Sequence, residues 1–326
     1  MPLQAFDPAS DLCALIDFHG RNQPDAEVLV IEDERVSWGA FSARVNQIGN
    51  ALLAMGVGKN DKVAILARSS ADYFETFFGV LAAGACSVPL SGMATAETIA
   101  LMVNDCDAKV LIISEDMRGL IDPVDAELTK LIPGGRIGFD FADETWRPFA
   151  DWADAAPSTP TGVEIDPEDD FNIIYSSGTT GVPKGILHSH RVRQSYWETR
   201  DMAGFGPEVK TLLSTPIYSN TTLFALLPTV AWGGCVVLMP KSDTGRYLQL
   251  VEEERPTHTI QVPVQYQRLF AHPDFETTDF SSFVWKYSTS APLRAEHKKI
   301  LITKWSGAFT EKRREPQAQR KRLVLP

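Results

Sequence analysis

The regular alternation of short apolar runs with amphipathic stretches constrains this chain most. Two periodicities in turn leave few ways to bury both kinds of face. Between Ser37 and Leu53 the apolar residues Trp38, Phe41, Val45, Ile48 and Leu52 recur at steps of three and four, which predicts an amphipathic helix with Ser37 as its N-cap. KVAILA at 62–67 predicts a strand. The pattern continues with a helix at DYFETFFGVLAA, a strand at ACSVPL, a helix from about Thr95 to Asn104 and a strand at KVLIIS. From 148 to 170 the composition changes to PFADWADAAPSTPTGVEIDPEDD, rich in Pro, Asp and small residues, which reads as a surface connection. A second series follows, with strands at NIIY, TLLS, CVVLMP, THTIQV and VWKYSTS and helices at GRYLQLVEEE and PVQYQRLFA. The expectation is an α/β fold of two subdomains, about 1–155 and 166–310, each with a largely parallel sheet.

Charge and composition narrow the function. Hydrophobic residues make up 44% of the 326, enough for a sizeable core. The formal net charge of −11 argues against a nucleic-acid binder and requires a local site for any small anion. Cys13, Cys86, Cys106 and Cys235 form no CxxC pair, which points to neither a disulfide framework nor a zinc site, and no metal ligand is assigned. No apolar stretch approaches the roughly 20 residues that span a bilayer, so the expected protein is soluble and cytoplasmic, without integral membrane association.

YSSGTTGVPKG, at 175–185, stands out in this acidic chain because it holds hydroxyls, glycines and a lysine but no acid. NIIY before it reads as a buried strand, and GILHSHRVRQSYW after it is expected to continue as a helix. The loop therefore sits at the carboxyl end of a strand, where α/β folds place ligands. Glycines let backbone N–H groups approach an anion, Ser and Thr donate hydrogen bonds, and Lys184 adds a point charge. These features fit phosphate. The pattern G-x-x-x-x-G-K-[ST] is not met, since Pro183 precedes Lys184 and Gly185 follows it. A flexible linker fits poorly beside the flanking strand and the stiffening Pro183.

The same stretch resembles the signature loop of the adenylate-forming superfamily, the AMP-binding enzymes that include acyl-CoA synthetases, aryl-CoA ligases, luciferases and adenylation domains. VSWGAFSARVNQIGNALLAMGVGKNDKVAIL, GVLAAGACSVPL and STSAPLRAEH resemble further segments of that family in the same order. The resemblance covers roughly 12–310 and implies a large N-terminal domain of the adenylate-forming fold. It implies attack of a carboxylate on the α-phosphorus of ATP with magnesium assisting, then transfer of the acyl group to coenzyme A. By position, Ser176, Ser177, Thr179, Thr180 and Lys184 would handle the β- and γ-phosphates, with Gly178 and Gly181 allowing close approach and Lys184 the catalytic cation. Ser290, Ala291 and Pro292 would line the AMP site. In STPIYSNTTLFALLPTVAWGG, the acyl-pocket candidates are Tyr218, Ser219, Asn220 and Thr221, with Ser219 where many acyl-CoA synthetases carry histidine. Phe224, Leu226 and Leu227 read as core, as do Trp38 and Tyr73. His188 and His190 receive no catalytic role.

The family's Tyr-Gly-x-Thr-Glu motif, ribose-binding Asp and mobile domain with its catalytic lysine do not occur in this sequence. HKKILITKWSGAFTE runs into KRREPQAQRKRLVLP where that motif is due. Residues 311–326 are therefore read as a basic tail foreign to the family, and the whole as a truncated domain, 1–310, that is inactive as it stands. Two other functions stay open: a non-catalytic remnant that binds a nucleotide or acyl ligand, and an enzyme that adenylates amino acids or serves a carrier protein.

Overall fold

Two sheets of the same design carry the chain. The structure is a computed structural model and describes residues 6–176, 183–198 and 203–311. The chain divides into two compact units. One draws on the chain up to Ser10, on Asp25–Trp38 and on the chain from Ser195 onward; the other draws on Asp11–Pro24 and Gly39–Gln194. The stretch 148–170 lies within the second of these.

The first unit holds β1 (Glu27–Ile31), β2 (Glu34–Ser37), β10 (Lys210–Leu213), β11 (Cys235–Leu238), β12 (His258–Gln261), β13 (Trp285–Ser288) and β14 (Ala308–Glu311). Their order across the sheet is β14-β13-β12-β10-β11-β1-β2. Every neighbouring pair is parallel except β1 with β2, which form an antiparallel hairpin at one edge. The second unit holds β3 (Lys62–Leu66), β4 (Cys86–Pro89), β5 (Ala108–Ile113), β6 (Arg136–Gly138), β7 (Arg147–Pro148), β8 (Asp170–Ser176) and β9 (Lys184–Ser189), in the order β7-β6-β5-β3-β4-β8-β9. It too is parallel except for one edge hairpin, β8 with β9. The expected α/β architecture with largely parallel sheets is what the chain forms.

Sequence periodicity accounts for most helices. These are α1 (Leu12–Asn22), α2 (Trp38–Ala54), α3 (Ala71–Ala82), α4 (Ala96–Asp105), α5 (Arg118–Ile121), α6 (Phe149–Asp154), α7 (His190–Glu198), α8 (Asn220–Ala231), α9 (Thr244–Glu254), α10 (Pro263–Phe270) and α11 (Ala295–Thr303). Side-chain oxygens of Ser70, Thr95 and Asp243 accept backbone N–H groups in the first turns of α3, α4 and α9. Such caps stabilise a helix by about 1 kcal/mol each. Ser37 ends β2, and α2 starts at Trp38.

The central strands are buried on both faces, as parallel sheets covered by helices require. In the second unit Ala64, Leu66, Val88, Leu111 and Ile113 cluster with Ile99 and Val103 of α4. In the first, Val30, Leu212 and Val237 cluster with Tyr247 and Val251 of α9, Leu269 of α10 and Leu301 of α11. Each such side chain contributes roughly 1.5–3 kcal/mol by leaving water. Trp38 and Tyr73 are fully buried.

One expectation is corrected. GILHSHRVRQSYW does not continue as a helix from the loop: Lys184–Ser189 is β9, paired antiparallel with β8, and the helix starts at His190. Gly185 explains part of this, since a glycine at the head of a helix weakens it. Opposite a tyrosine in a strand it leaves space for the ring.

Candidate functional site

The β8–β9 hairpin carries the loop that stands out in the sequence. At its base Asn172 pairs with His188 across the hairpin, and its side-chain oxygen accepts from Nε of the buried Arg193 at 2.7 Å. Further along, Tyr175 faces Gly185, and Ser176 faces Lys184. A Cβ on Gly185 would stand 3.2 Å from the Tyr175 ring and 3.1 Å from Ile173 Cγ2, so the tyrosine occupies the space a side chain would need. Ser176 Oγ donates to the Lys184 carbonyl at 3.5 Å, and the Lys184 side chain is exposed. Thus both ends of the expected phosphate loop are held as a register pair. Ser177, Gly178, Thr179, Thr180 and Gly181 lie outside the described residues.

His190 opens α7 directly after β9 and is 4% exposed, with its ring edge-on to Phe171 at 4.9 Å. Neither ring nitrogen has a hydrogen-bond partner among the described residues, and burial pushes its pKa down to about 4. It is a buried histidine that desolvation holds neutral.

The AMP-side and acyl-side candidates belong to the first unit, where β13 leads into Ser290, Ala291 and Pro292. Ser290 adopts φ 75, a left-handed conformation that L side chains take at a cost of about 1–2 kcal/mol. Its hydroxyl lies 3.2 Å from the Thr221 hydroxyl, so one residue from each candidate set meets the other. Ser290, Ala291 and Pro292 share a cavity of about 350 Å³ with Val262, Pro263 and Gln267 near α10 and with Arg294 and His297 near α11. Apolar groups interleaved with a few donors suit a flat, polar-edged ligand.

Ser219 accepts the Thr221 N–H at 3.2 Å and is the N-cap of α8. Tyr218 is half-buried and Asn220 is exposed. Leu226 and Leu227 are fully buried, as expected of core. Phe224 is half-buried instead, stacked on Tyr287 with centroids 4.9 Å apart and tilted against Tyr196 at 5.2 Å.

Two residues near this loop escape sequence reading. Glu311, counted there with the basic tail, is the last residue of β14; its carboxylate accepts the Leu293 N–H at 2.7 Å and Lys298 Nζ at 2.6 Å. It fixes the chain just after Pro292. Lys286 on β13 is fully buried and donates to the carbonyls of Trp305, Ser306 and Gly307, at 3.0, 2.5 and 2.6 Å. Burial pushes it down to about 8. An ammonium caught by carbonyls at the end of a helix stitches that turn to β13. The only sequence signal was a lysine inside an apolar strand.

Among the described residues no group of three or more His, Cys, Asp or Glu is placed to hold a metal ion. None of their helices is long and apolar enough to cross a membrane.

With this fold and these candidate residues in place, the chain belongs to the AMP-binding enzyme family, whose model matches residues 16–310. It is 30% identical over 280 residues to feruloyl-CoA synthase of an Amycolatopsis species, covering 85% of this chain and 53% of that one. It is 27% identical over 276 residues to long-chain-fatty-acid–CoA ligase FadD13 of Mycobacterium tuberculosis, covering 83% and 53%. The chain therefore spans about half the length of the curated relatives it matches. Among solved structures it is similar to the anthranilate CoA ligase AuaEII in complex with anthranoyl-AMP (TM-score 0.84, 24% identity, 95% of this chain and 60% of that one). It is also similar to the N-terminal domain of FACL13 from Mycobacterium tuberculosis (TM-score 0.81, 24% identity, 90% and 73%). At these identities the structural likeness establishes the fold.

Proposed function

We propose that this chain is the nucleotide- and acid-handling part of an acid–thiol ligase, which activates a fatty or aryl carboxylic acid with ATP to an acyl-adenylate and then passes the acyl group to coenzyme A. The observation that carries this reading is the β8–β9 hairpin. Its paired ends, Ser176 and Lys184, deliver one lysine and a run of hydroxyls and glycines to the carboxyl end of β8. Attack of a carboxylate on the α-phosphorus displaces pyrophosphate, and preorganised donors aimed at the departing charge lower the barrier. In this reading Ser176, Ser177, Thr179, Thr180 and Lys184 hold the β- and γ-phosphates, and Gly178 and Gly181 let backbone N–H groups approach. Ser290, Ala291 and Pro292 line the AMP site. Tyr218, Ser219, Asn220 and Thr221 border the acid, with Ser219 acting chiefly as a helix cap.

Magnesium would come with the nucleotide's phosphates and neutralise part of their charge; no described residue is assigned to hold it, and no residue role here depends on it. Coenzyme A as acceptor is supported by the names of the relatives. Their acids, ferulate, long-chain fatty acids and anthranilate, set the panel to try.

Binding is the first test. Titration of the 326-residue chain with ATP should show saturable binding, weakened roughly 10- to 100-fold in Lys184→Ala by loss of charge-assisted hydrogen bonds. Equal affinity in the variant removes the lysine from the role. Turnover is tested on a chain extended through a Tyr-Gly-x-Thr-Glu motif, with the 326-residue chain beside it for comparison. Adenylate without thioester from the extended chain would discard coenzyme A as acceptor.

A further inference from the structure

The hairpin that carries the phosphate loop leaves its sheet before the loop begins. β8 shares one register pair with β4 among the described residues, Ser87 with Asn172, yet it pairs with β9 onward to Ser176 and Lys184. β9 is the edge strand. In that register Ile173 and Ile174 run beside Val88 and Pro89, and Tyr175 and Ser176, with their partners on β9, extend past the end of β4. A two-stranded hairpin alone is marginal in water, and a loop that must present donors at fixed positions needs more support.

Tyr175 supplies it. Its hydroxyl reaches the end of α4, 2.9 Å from the Met102 carbonyl and 2.7 Å from Asp105 Oδ2, sharing its one hydrogen between them. Burial, with Cys106 and Asp105 nearby, pushes the phenol well above its usual range, so it stays a donor wherever the chain is folded. The ring packs on the second unit's core and fills the space over Gly185. The base of the hairpin is fixed separately, by Arg193 on Asn172.

We infer that Tyr175 is a positioning residue, whose phenol tethers the outer end of the hairpin to the carboxyl end of α4 and so fixes where Ser176 and Lys184 stand. The inference rests on the loop being a phosphate site. Asp105 is its partner in this, and the glycine at 185 leaves the ring room that a Cβ, 3.2 Å from it, would crowd.

The test is ATP titration of the full 326-residue chain together with amide exchange. Tyr175→Phe keeps the ring and loses the hydroxyl. It should bind ATP roughly 5- to 10-fold more weakly, the usual worth of one such bond, while amides at 184–187 exchange faster and those of β3 and β5 do not. Asp105→Ala should cost about 3-fold, Asp105→Asn, which keeps an acceptor, almost nothing, and Asp105→Ala should add nothing to Tyr175→Phe. If Tyr175→Phe lowers the stability of the whole unit, the Asp105 pair carries the same test. Unchanged ATP affinity in Tyr175→Phe overturns the inference, as does a full additive loss in the double variant. If the parent chain binds no ATP, the phosphate reading falls and exchange alone decides the tether: faster exchange at 184–187 upholds it, unchanged exchange sinks it.

Discussion

Each sheet ends in an antiparallel hairpin, and the two hairpins differ in what joins their strands. Glu32 and Asp33 alone link β1 to β2, with Ile31 opposite Glu34 and Glu32 at φ 52. Residues 177–183 link β8 to β9. The short link closes the strands at the expense of a left-handed glutamate and leaves no backbone free to hold a ligand. In sequence the long one holds two glycines and three hydroxyl residues, with Lys184 directly after it. An identical topological device thus becomes either a fold closure or a candidate site, and the length and chemistry of the connection decide which.

A second contrast concerns buried histidines. His258 in the first unit is bonded at both nitrogens, to Thr257 Oγ1 at 2.9 Å and the Ala203 carbonyl at 2.7 Å. His190, beside the long-linked hairpin, has no hydrogen-bond partner at either ring nitrogen among the described residues. This gives the largest expected difference. His190 falls from 6.5 to about 4 on folding, so the unfolded chain takes up its proton first as pH drops. The stability this histidine contributes is whole above pH 6.5 and is lost as pH falls from there to about 4, by about 3 kcal/mol. Chemical denaturation at pH 7, 5.5 and 4 measures it, and His190→Leu should flatten the slope by one proton. An equally steep slope in the variant would place the acid sensitivity elsewhere.

Next in size is Lys184→Ala, at the end of the long link. Its expected loss of ATP affinity, roughly 10- to 100-fold, has no counterpart at the short link, where Glu34→Ala should leave ATP binding untouched. Loss in both variants would erase the distinction drawn between the hairpins.

Gly185→Ala follows, with an expected destabilisation of about 1–3 kcal/mol because its Cβ meets the Tyr175 ring and Ile173. Thermal unfolding reads it directly, and a neutral result would mean the ring moves aside freely. The smallest effect is opposite in sign. Glu32→Gly relieves the left-handed backbone and should stabilise by about 1 kcal/mol less the entropy a glycine loses on folding. A destabilised variant would show that the turn is unstrained.

Legibility followed the range of the interactions. Strands such as KVAIL and CVVL and the helices α2, α4 and α9 were readable because burial on a parallel sheet imposes local periodicity. The loop stood out in the sequence too, since its hydroxyls, glycines and lysine fall together, and its phosphate role is the reading proposed above. β9 was not, because its place is set by cross-strand partners on β8, Tyr175 opposite Gly185 among them, rather than by a periodicity of its own. The roles of Glu311 and Lys286 rest on partners in other elements, and neither residue type nor spacing announces them. Ser219 illustrates the converse: a residue singled out by family position turns out to cap the helix on which it sits.

The pairing of β1 with β11 sets Leu29 against Val236, most of the chain's length apart. During synthesis, β1 has no parallel neighbour until residue 236 has left the ribosome, whereas β3, β4 and β5 find one another within a short contiguous stretch. Long-range parallel pairing is slow because loop closure comes before any contact rewards it. The sheet bearing the candidate phosphate loop is therefore the earlier to assemble, and the β1–β2 hairpin waits with one edge unpaired until β11 arrives.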